Sequence, residues 1–443
     1  MNIRIRKPLQ GGTVKAIASK SGAHRFLICA ALADYETFIT CPERSQDIDA
    51  TARCLRALGA SVTYEKDGFI VTPIDQRAES PKTGSPGANL SGDTQRMLDC
   101  GESGSTLRFL LPICGALGFP VSFKMGGRLP ERPLSPLYDE MVEHGCTLSE
   151  QGQSPLRCEG QLRSGTYTLP GNISSQFISG LLFALPLLPG ESQIRVTGIL
   201  ESRPYVDMTV DALRMFGIVI HEEDNQVFHI SGADAAVKGQ PYCSPKTVRV
   251  EGDWSNAAFW LSAGAIGKNR ITCTALDPGS RQGDKAIVEL LNKFGAHIIV
   301  DSDTVTVSPG KLKGIGIDAG NTPDLVPVLA AVASVSEGKT VIRNAGRLRI
   351  KESDRLRTIA ASLSSLGADI TETEDGLIIV GKKALAGGET ESYGDHRIAM
   401  AAAVLSAVCT GAVLIKNAEA VNKSYPGFFR DYCSALGGEC EEV

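Results

Sequence analysis

A six-fold repeat constrains the fold of this chain more than any other feature of its sequence. Each copy is a helix-like stretch that ends in an apolar residue followed by Gly, after which apolar and polar residues alternate. Gly at that point suits a left-handed helix C-cap, and the alternation is typical of a half-buried strand. The copies recur every 70 to 86 residues, so each one predicts a sizeable supersecondary unit. The repeat glycines are Gly59, Gly145, Gly217, Gly295, Gly367 and Gly437.

A second element lies between successive glycines, an Ala- and Leu-rich stretch that begins with Ser or Asp. Ser and Asp are favoured helix N-caps, and a helix that is apolar on all sides belongs inside a core. Each repeat therefore predicts one buried helix, one amphipathic helix and short strands. The predicted starts are Ser21, Ser103 or Ser105, Ser174 or Ser175, Asp253, Asp324 and Asp395.

The length of 443 residues is too great for one ordinary core, which favours two domains of three repeats each. We expect one domain of residues 20–245 and a discontinuous second domain of residues 1–19 and 246–443. The predicted crossings lie near Thr13–Ser19 and in the polar, Pro-containing stretch Gly239–Lys246.

Composition excludes several classes of protein. A net charge of −5 disfavours nucleic acid as a partner, although it is compatible with a local basic pocket. The first residues contain no apolar signal-peptide core, and the longest apolar run, around Leu181–Leu188, is too short to span a bilayer. The twelve cysteines show no CxxC or metal-ligand spacing, which favours reduced thiols. We expect a cytoplasmic protein with neither a nucleic-acid nor a membrane partner.

Basic side chains gather at the starts of the predicted buried helices, where Lys20, Arg25, Arg108 and Arg397 lie. A helix start presents free N–H groups and partial positive charge, which together form an anion site. Any one of these starts is more simply an N-cap with a solvated cation beside it. A cation entering an apolar helix is costly unless an anion meets it, so the repetition favours a shared anion pocket.

The segment RLRIKESDR at residues 347–355 is the most distinctive cluster of charged residues in the sequence. If it is helical, Lys351 and Arg355 share one face because they lie four residues apart. The segment is then either a solvated face neutralised by Glu352 and Asp354, or a site for a phosphate and a carboxylate. The sequence has no Walker A loop, no GxGxxG after a strand and no metal-ligand spacing, so we expect neither a cofactor nor a metal.

Nine motifs, in one order along nearly the whole chain, resemble the 5-enolpyruvylshikimate-3-phosphate (EPSP) synthase family. They are KSGAHR at 20–25, SGSTLRFL at 103–110, LPERPLSPL at 129–137, SSQF at 174–177, ESRPYVD at 201–207, TPD at 322–324, RIKESDRLR at 349–357, GDHRIAM at 394–400 and NKSYPGFF at 422–429. The resemblance implies the enolpyruvyl transferase fold, a two-domain inside-out α/β barrel of six βαβαββ units. It also implies transfer of an enolpyruvyl group from phosphoenolpyruvate to the 5-hydroxyl of shikimate 3-phosphate. That reaction would pass through a tetrahedral intermediate in a cleft between the domains of a monomer.

The same resemblance implies the site residues. Asp324 is similar to the proton acceptor and Glu352 to the proton donor, with Lys20 as a third catalytic residue. The implied shikimate 3-phosphate contacts are Lys20, Ser21, Arg25, Ser174, Ser175, Gln176, Ser202, Tyr205, Asp324, Arg347 and Lys351. The implied phosphoenolpyruvate contacts are Lys20, Gly104, Arg132, Gln176, Arg355, Arg397 and Lys423.

Two positions depart from the family pattern. Arg347 stands where some members carry Asn, and Glu102-Ser103 replaces the Asn-Ala that precedes the loop glycine in other members.

Because one group must give a proton and another must take one, we expect the pKa values of Glu352 and Asp324 to be pushed apart.

Two alternatives stay open at this point. The first is a UDP-N-acetylglucosamine enolpyruvyl transferase, a family that typically carries a Cys after paired glycines, where this chain has Gly126-Gly127-Arg128. The second is a non-catalytic sugar-phosphate-binding relative, which the presence of both Asp324 and Glu352 disfavours.

Overall fold

A computed structural model describes residues 1–74, 96–235 and 241–443, which form twelve α-helices and 24 strands. The helices are α1 Lys20–Leu32, α2 Gln46–Leu58, α3 Gly104–Leu117, α4 Leu137–Glu143, α5 Ser175–Ala184, α6 Arg203–Met215, α7 Trp254–Ile266, α8 Ile287–Phe294, α9 Val326–Ala333, α10 Arg355–Ser365, α11 His396–Leu405 and α12 Phe428–Ser434. The strands are β1 Ile3–Lys7, β2 Gly12–Lys15, β3 Thr37–Thr40, β4 Ser61–Glu65, β5 Gly68–Thr72, β6 Arg96–Gly101, β7 Val121–Met125, β8 Cys146–Leu148, β9 Leu156–Gly160, β10 Thr166–Pro170, β11 Glu191–Thr197, β12 Ile220–Glu223, β13 Val227–Ser231, β14 Thr247–Arg249, β15 Ile271–Thr274, β16 His297–Asp301, β17 Thr304–Ser308, β18 Gly316–Asp318, β19 Lys339–Arg343, β20 Asp369–Glu372, β21 Leu377–Val380, β22 Gly388–Glu391, β23 Val413–Lys416 and β24 Glu439–Glu442.

The described strands form six four-stranded sheets, one for each predicted repeat. Their orders are β14-β3-β5-β4, β6-β7-β9-β8, β10-β11-β13-β12, β2-β15-β17-β16, β18-β19-β21-β20 and β22-β23-β1-β24. Each sheet begins with a parallel pair, such as β10 with β11, and continues with antiparallel pairs. In four sheets the parallel pair directly flanks a buried helix, which is the βαβ part of a βαβαββ unit. In the other two, β14 is the parallel partner of β3, and β2 is the parallel partner of β15.

The six repeat glycines lie where the sequence predicts them, just after the six amphipathic helices. All six have positive φ, between 69° and 110°. In that region a residue with a Cβ is strained and Gly is not. The helices between them, α1, α3, α5, α7, α9 and α11, are buried along most of their length, as predicted.

Four of the predicted helix starts are confirmed as N-caps, and two are wrong. The side chains of Ser103, Ser174, Asp253 and Asp395 accept hydrogen bonds from the first turns of α3, α5, α7 and α11. The cap of α1 is Ser19 rather than Ser21. Asp324 does not cap α9; it lies in the preceding 3-10 turn, Pro323–Leu325. Its carboxylate pairs with arginines instead, because ion pairs satisfy it better than backbone N–H groups would.

Two separate apolar cores give the molecule two lobes. Residues between Ala18 and Val250 build the first core, and Ile3–Ile17 together with Trp254–Leu436 build the second. We call these parts the first lobe and the second lobe. The sheet pairing adds β14 to the first lobe and β2 to the second.

The chain passes between the lobes twice, and the two crossings lie side by side. Ala18 forms an antiparallel bridge with Gly252. The N–H of Ser19 donates to the carbonyl of Glu251 at 2.8 Å, and that of Asp253 donates to Ile17 at 2.8 Å. Part of the predicted crossing stretch, residues 239–240, lies outside the described residues. The domain limits 1–19, 20–245 and 246–443 stay a prediction.

Candidate active site

A cavity between the lobes is lined by residues from both of them. Every site residue predicted from the sequence lines it except Lys423. These are Lys20, Ser21, Arg25, Gly104, Arg132, Ser174, Ser175, Gln176, Ser202, Tyr205, Asp324, Arg347, Lys351, Glu352, Arg355 and Arg397.

The starts of the buried helices converge on this cavity. Lys20 opens α1, Gly104 opens α3, Ser175 opens α5 and His396 opens α11, and each of these residues lines the cavity. Their N-caps satisfy some backbone N–H groups and leave the positive helix ends directed at one place. The inside-out arrangement therefore places several helix N-termini around a single cavity.

Cationic side chains outnumber carboxylates on the cavity wall. Eight cations face three carboxylates, although the whole chain carries a net charge of −5. The cations are Lys20, Arg25, Arg108, Arg132, Arg347, Lys351, Arg355 and Arg397, and the carboxylates are Asp47, Asp324 and Glu352. Such an excess of buried positive charge is costly unless anionic ligands enter. The wall is therefore suited to bind more than one anionic group.

Arg355 lies at the centre of the ionic network and is only 1% exposed. Its Nε donates to Asp395 Oδ2 at 2.7 Å and its Nη1 to Asp324 Oδ1 at 2.8 Å. Its Nη2 lies 2.8 Å from Glu352 Oε2. Lys351 and Arg355 do not share a helix face, because Lys351 ends a 3-10 turn and Arg355 begins α10. Both nevertheless line the cavity.

Asp324 is held in the anionic form by its surroundings. Burial alone would raise the pKa of this carboxyl, but Arg397, Lys351 and Arg355 together lower the pKa far below its usual range. The hydroxyl of Tyr205 donates to Asp324 Oδ2 at 3.1 Å, so the two lobes meet at this carboxylate.

Glu352 is also held in the anionic form by its surroundings. Burial opposes ionisation, but Arg355 and Arg132 outweigh it and hold the pKa of Glu352 well below its usual value. The pKa values of Glu352 and Asp324 are therefore both lowered, and their expected separation stays a prediction. Arg397 contributes most to the lowering at Asp324 and Arg355 contributes most at Glu352, and Arg355 contacts both carboxylates.

The two lysines of the cavity respond differently to burial. Burial lowers the pKa of Lys351 to about 8 even though Asp324 and Glu352 oppose the shift. The pKa of Lys20 is raised in spite of burial, because Asp47, with Oδ2 at 2.8 Å from Nζ, and Glu352 stabilise its charge. Lys20 is a fixed cation, whereas Lys351 has a pKa close to neutral pH.

Hydrogen bonds fix the polar side chains of the first lobe. Gln176 Oε1 accepts from Arg108 Nη1 at 3.0 Å, and its amide donates to Ser105 Oγ at 2.9 Å. Arg25 donates to the carbonyls of Ser21 and Tyr205, at 2.7 Å each. Side chains held in this way need little reordering when a ligand binds.

Arg347 and Lys423 make contacts that the sequence did not predict. Arg347 lines the cavity, where its Nη2 donates to Ser202 Oγ at 3.1 Å and its Nε lies 2.5 Å from a Glu201 carboxylate oxygen. Lys423 does not line the cavity. Its Nζ donates to Glu102 Oε2 at 2.7 Å and to the Gly394 carbonyl at 2.6 Å.

Sequence reasoning missed several polar residues at the site. Asp47 pairs with Lys20, Asp395 pairs with Arg355, and His396 lines the cavity with no hydrogen-bond partner among the described residues. Asp284 and Ser255 contact Tyr205 and Arg397, respectively. Asp395 was recognised as an N-cap, and its second role follows only from the fold. Asp47 and Asp284 lie in ordinary polar segments that carry no spacing signal.

Metal-binding clusters and membrane-spanning helices are both absent from the described part of the chain. It contains no cluster of three or more His, Cys, Asp or Glu residues arranged to hold a metal ion. None of its helices combines the length and apolarity needed to cross a membrane.

Comparisons with known proteins agree with the geometry. The family model described as EPSP synthase (3-phosphoshikimate 1-carboxyvinyltransferase) matches residues 3–432. A 3-phosphoshikimate 1-carboxyvinyltransferase of Clostridium kluyveri is 44% identical over 437 residues, which cover 97% of this chain and 96% of that protein. The enzyme of the same name from Clostridium perfringens is 44% identical over 430 residues, with 96% of each chain covered.

Solved structures confirm the enolpyruvyl transferase fold. EPSP synthase from Acinetobacter baumannii superposes with a TM-score of 0.79 at 26% identity, with both chains fully covered. The enolpyruvyl transferase NikO from Streptomyces tendae reaches a TM-score of 0.77 at 18% identity, covering 100% of this chain and 98% of its own. The family model and the two Clostridium relatives favour the shikimate enzyme over the UDP-sugar transferase. The chain belongs to the EPSP synthase (3-phosphoshikimate 1-carboxyvinyltransferase) family.

Proposed function

We propose that this chain transfers the enolpyruvyl group of phosphoenolpyruvate to the 5-hydroxyl of shikimate 3-phosphate and releases phosphate. The observation that carries the proposal is the cavity between the lobes, with eight cations against three carboxylates. Each reactant brings a phosphate and a carboxylate, so four anionic groups would meet the surplus of positive charge. Arginine side chains bind such groups bidentately, and lysines supply compact charge.

The two reactants occupy different parts of the cavity in this proposal. Shikimate 3-phosphate lies against the first lobe, where the polar groups at the starts of α1, α5 and α6 face it together with Lys351 and Arg347 from the second lobe. Phosphoenolpyruvate lies between Arg132, Arg355 and Arg397, beside Gly104. Gln176 and Lys20 lie where the two binding regions meet.

The proposed chemistry begins with proton transfer to carbon. Glu352 protonates the methylene carbon of phosphoenolpyruvate, and the cation-like centre that forms is attacked by the acceptor hydroxyl as Asp324 takes the hydroxyl proton. The resulting tetrahedral adduct then loses a methyl proton to Glu352 and expels phosphate, which the surrounding cations stabilise.

Glu352 must be protonated before it can act as an acid. Its pKa is low because Arg355 and Arg132 lie beside it. When phosphoenolpyruvate binds, its anionic groups engage both arginines and add negative charge close to Glu352. Both effects raise the pKa of Glu352, so binding of the substrate itself produces the proton donor.

In this proposal Lys423 contacts phosphoenolpyruvate only after it has released Glu102, its present partner. Its ammonium group is now paired with Glu102 from the first lobe. Phosphoenolpyruvate would replace the Glu102 carboxylate as the anion that Lys423 contacts.

Phosphate release from purified protein tests the assignment. We expect release with phosphoenolpyruvate and shikimate 3-phosphate, and none with phosphoenolpyruvate and UDP-N-acetylglucosamine. Turnover with the UDP-sugar alone would refute the assignment, and the absence of turnover with both acceptors would favour a non-catalytic relative.

We also propose domain limits, an assembly state and a location. The predicted limits 1–19, 20–245 and 246–443 need extension of the middle domain to about Val250, since β14 pairs with β3. A monomer is sufficient, because one chain supplies both walls of the cavity. All twelve cysteines are free thiols, which supports a cytoplasmic location.

A further inference from the structure

Asp284 is a buried carboxyl group that the proposed chemistry does not use. It lies in the 3-10 turn Gly283–Ala286 of the second lobe and is 2% exposed. Its Oδ2 lies 3.3 Å from the hydroxyl of Tyr205, and the same hydroxyl lies 3.1 Å from Asp324 Oδ2. One tyrosine hydroxyl therefore bridges the proposed proton acceptor and a second carboxyl group.

A second chain of contacts joins the same two carboxyl groups. Ser255 donates its hydroxyl proton to Asp284 Oδ2, and Arg397 Nη2 donates to Ser255 Oγ at 2.7 Å. Arg397 Nη2 also lies 3.3 Å from Asp324 Oδ2. The guanidinium is thus in direct contact with Asp324 and reaches Asp284 only through a hydroxyl. Asp284 Oδ1 has no hydrogen-bond partner among the described residues.

The groups that face Asp284 favour a proton there more than on Asp324. Burial raises the pKa of Asp284 most strongly, and Asp324 and Asp253 raise it further, while Arg397 and Ser255 act in the opposite direction; the result is about 6. The pKa of Asp324 is lowered by Arg397, Lys351 and Arg355. A proton that reaches Asp324 would therefore be more stable on Asp284.

We propose that Asp284 is the final acceptor of the hydroxyl proton, which reaches it from Asp324 through the hydroxyl of Tyr205. This inference rests on the proposed function. The O–H bond of the acceptor breaks as an O–H bond forms on Asp324. That proton then passes to the Tyr205 oxygen while the proton of Tyr205 passes to Asp284 Oδ2. Tyr205 keeps one proton, Asp324 becomes anionic again and Asp284 becomes neutral.

A return of the proton from Asp284 completes the reaction and restores the starting state of the enzyme. After phosphate has left the adduct, the proton moves back through Tyr205 and Asp324 to the phosphate oxygen. Asp284 is then ionised for the next cycle. Because Asp284 acts through Tyr205, it is a positioning residue that also stores the proton between the two steps.

The pH dependence of kcat tests this relay. Asp284 must be ionised to accept a proton, so kcat of the unaltered protein should fall as the pH drops through about 6. Asp284→Asn keeps the shape but accepts no proton. We expect its kcat to fall about 100-fold, the lower end of the range for acid–base groups. KM should change less, and the acidic limb at this pH should be lost.

Tyr205→Phe provides a second and independent test. It leaves Asp284 in place and removes only the bridging oxygen, so the same acidic limb should vanish. Because both variants break one path, the kcat of the double variant should be no lower than that of Tyr205→Phe alone. Glu140→Gln is a matched control, since Glu140 is also a largely buried carboxyl whose pKa burial raises, but it lies outside the cavity. It should keep both kcat and the acidic limb.

The outcomes separate the relay from the proposed function. If the unaltered protein releases no phosphate with shikimate 3-phosphate, the proposed function fails. If it does, a wild-type kcat and acidic limb in Asp284→Asn would overturn the relay. A loss that is equal at every pH and additive with Tyr205→Phe would overturn it as well, since it would indicate a structural role. Should Asp284→Asn not fold, the acidic limb of Tyr205→Phe decides: its loss supports the relay and its retention overturns it.

Discussion

Arg132 and Arg355 both face the cavity, but their partners in the protein differ. Arg355 touches three carboxylates, one of which, Asp395, is fully buried. Arg132 approaches only Glu352 among carboxylates in the described residues, at 4.0 Å. We therefore expect substitution of Arg355 to disturb the folded structure as well as the site, and substitution of Arg132 mainly to affect the proposed binding of phosphoenolpyruvate.

We predict that Arg132→Ala raises KM for phosphoenolpyruvate about 10- to 100-fold, the loss of one charge-assisted contact of roughly 1.5–3 kcal/mol. Its melting temperature should stay close to that of the parent. Arg355→Ala should also raise KM for phosphoenolpyruvate. In addition it should lower the free energy of unfolding by about 3–5 kcal/mol, because Asp395 is left buried without its ion-pair partner. Steady-state kinetics and denaturant titration check both results. Normal constants in the two variants would show that the site is assigned incorrectly.

Gly104 has little room for a side chain. A Cβ there would lie 2.7 Å from Arg108 Nη1 and 2.8 Å from Arg132 Nη1. We predict that Gly104→Ala displaces these guanidinium groups and raises KM for phosphoenolpyruvate more than KM for shikimate 3-phosphate. Gly316→Ala is the control, because nothing lies within 4 Å of its added methyl group. If both variants had equal constants for phosphoenolpyruvate, the crowding argument would be wrong.

At the scale of single residues, the sequence predicted the groups that recur in motifs and missed those that act by contact. Lys20, Asp324 and Glu352 lie in extended motifs, so their place in the cavity could be anticipated. Asp47 and Asp284 lie in short polar segments. Which cation or hydroxyl each of them meets depends on how distant segments pack together, and that information is absent from local spacing.

The loop before α3 carries Glu102-Ser103, the pair that the sequence analysis expects to differ from other members of the family. Glu102 precedes the N-cap Ser103 and reaches across to Lys423 in the second lobe. In the proposed function, this ion pair competes with phosphoenolpyruvate for Lys423. We predict that Glu102→Gln lowers KM for phosphoenolpyruvate several-fold, since removing the competing charge frees the ammonium group.

The matched control for this loop is Glu131→Gln, which removes a carboxylate of the first lobe that pairs with the exposed Arg128. Its KM for phosphoenolpyruvate should not change. A KM for Glu102→Gln that equals or exceeds the parent value would show that the ion pair does not oppose substrate binding.

At the scale of elements, helix C-caps were easier to predict than helix starts. The helix ends need a residue with positive φ, and Gly occupies them because it adopts that conformation without strain. The residue type alone therefore identifies the position. Ser and Asp serve equally as caps, turn residues and ion-pair partners. For this reason the sequence predicts Ser21 as the cap of α1, where the structure has Ser19, and predicts Asp324 as the cap of α9, although Asp324 pairs with arginines.

At the scale of the whole molecule, buried titratable groups make the stability of the fold sensitive to acid. Burial lowers the pKa of His24 and His396 well below the usual value, and nearby cations contribute. The unfolded chain therefore takes up protons near pH 6.5 while the folded chain does not. We predict that stability declines as the pH falls below about 6.5, because two histidines act in this direction, whereas Asp284, whose pKa burial raises to about 6, opposes them as a single group. Stability should decline further below about pH 4, where the unfolded chain protonates Asp324 and Glu352 while the folded chain keeps both ionised.

Denaturant titration between pH 7 and pH 5 measures this effect, and His24→Gln should reduce the slope. His24 is the better site for the test because it is hydrogen-bonded to Thr51 and does not line the cavity. A free energy of unfolding that does not change over this range would contradict the expectation.

At the scale of the molecule, the number of repeats could be predicted because the periodicity records it directly, and two lobes could be predicted because 443 residues are too many for one ordinary core. The chain crossings were harder to place. β14 joins the first lobe by pairing with β3, more than 200 residues earlier in the sequence. A three-residue strand gives too weak a pattern to show which of two similar lobes it joins.

The central claim is that one cavity between the lobes binds both anionic reactants. A crystal structure of the protein with shikimate 3-phosphate and inorganic phosphate tests it most directly. We predict that shikimate 3-phosphate contacts Lys20, Arg25 and the start of α5, and that phosphate lies among Arg132, Arg355 and Arg397. Either ligand bound only outside this cavity would contradict the account.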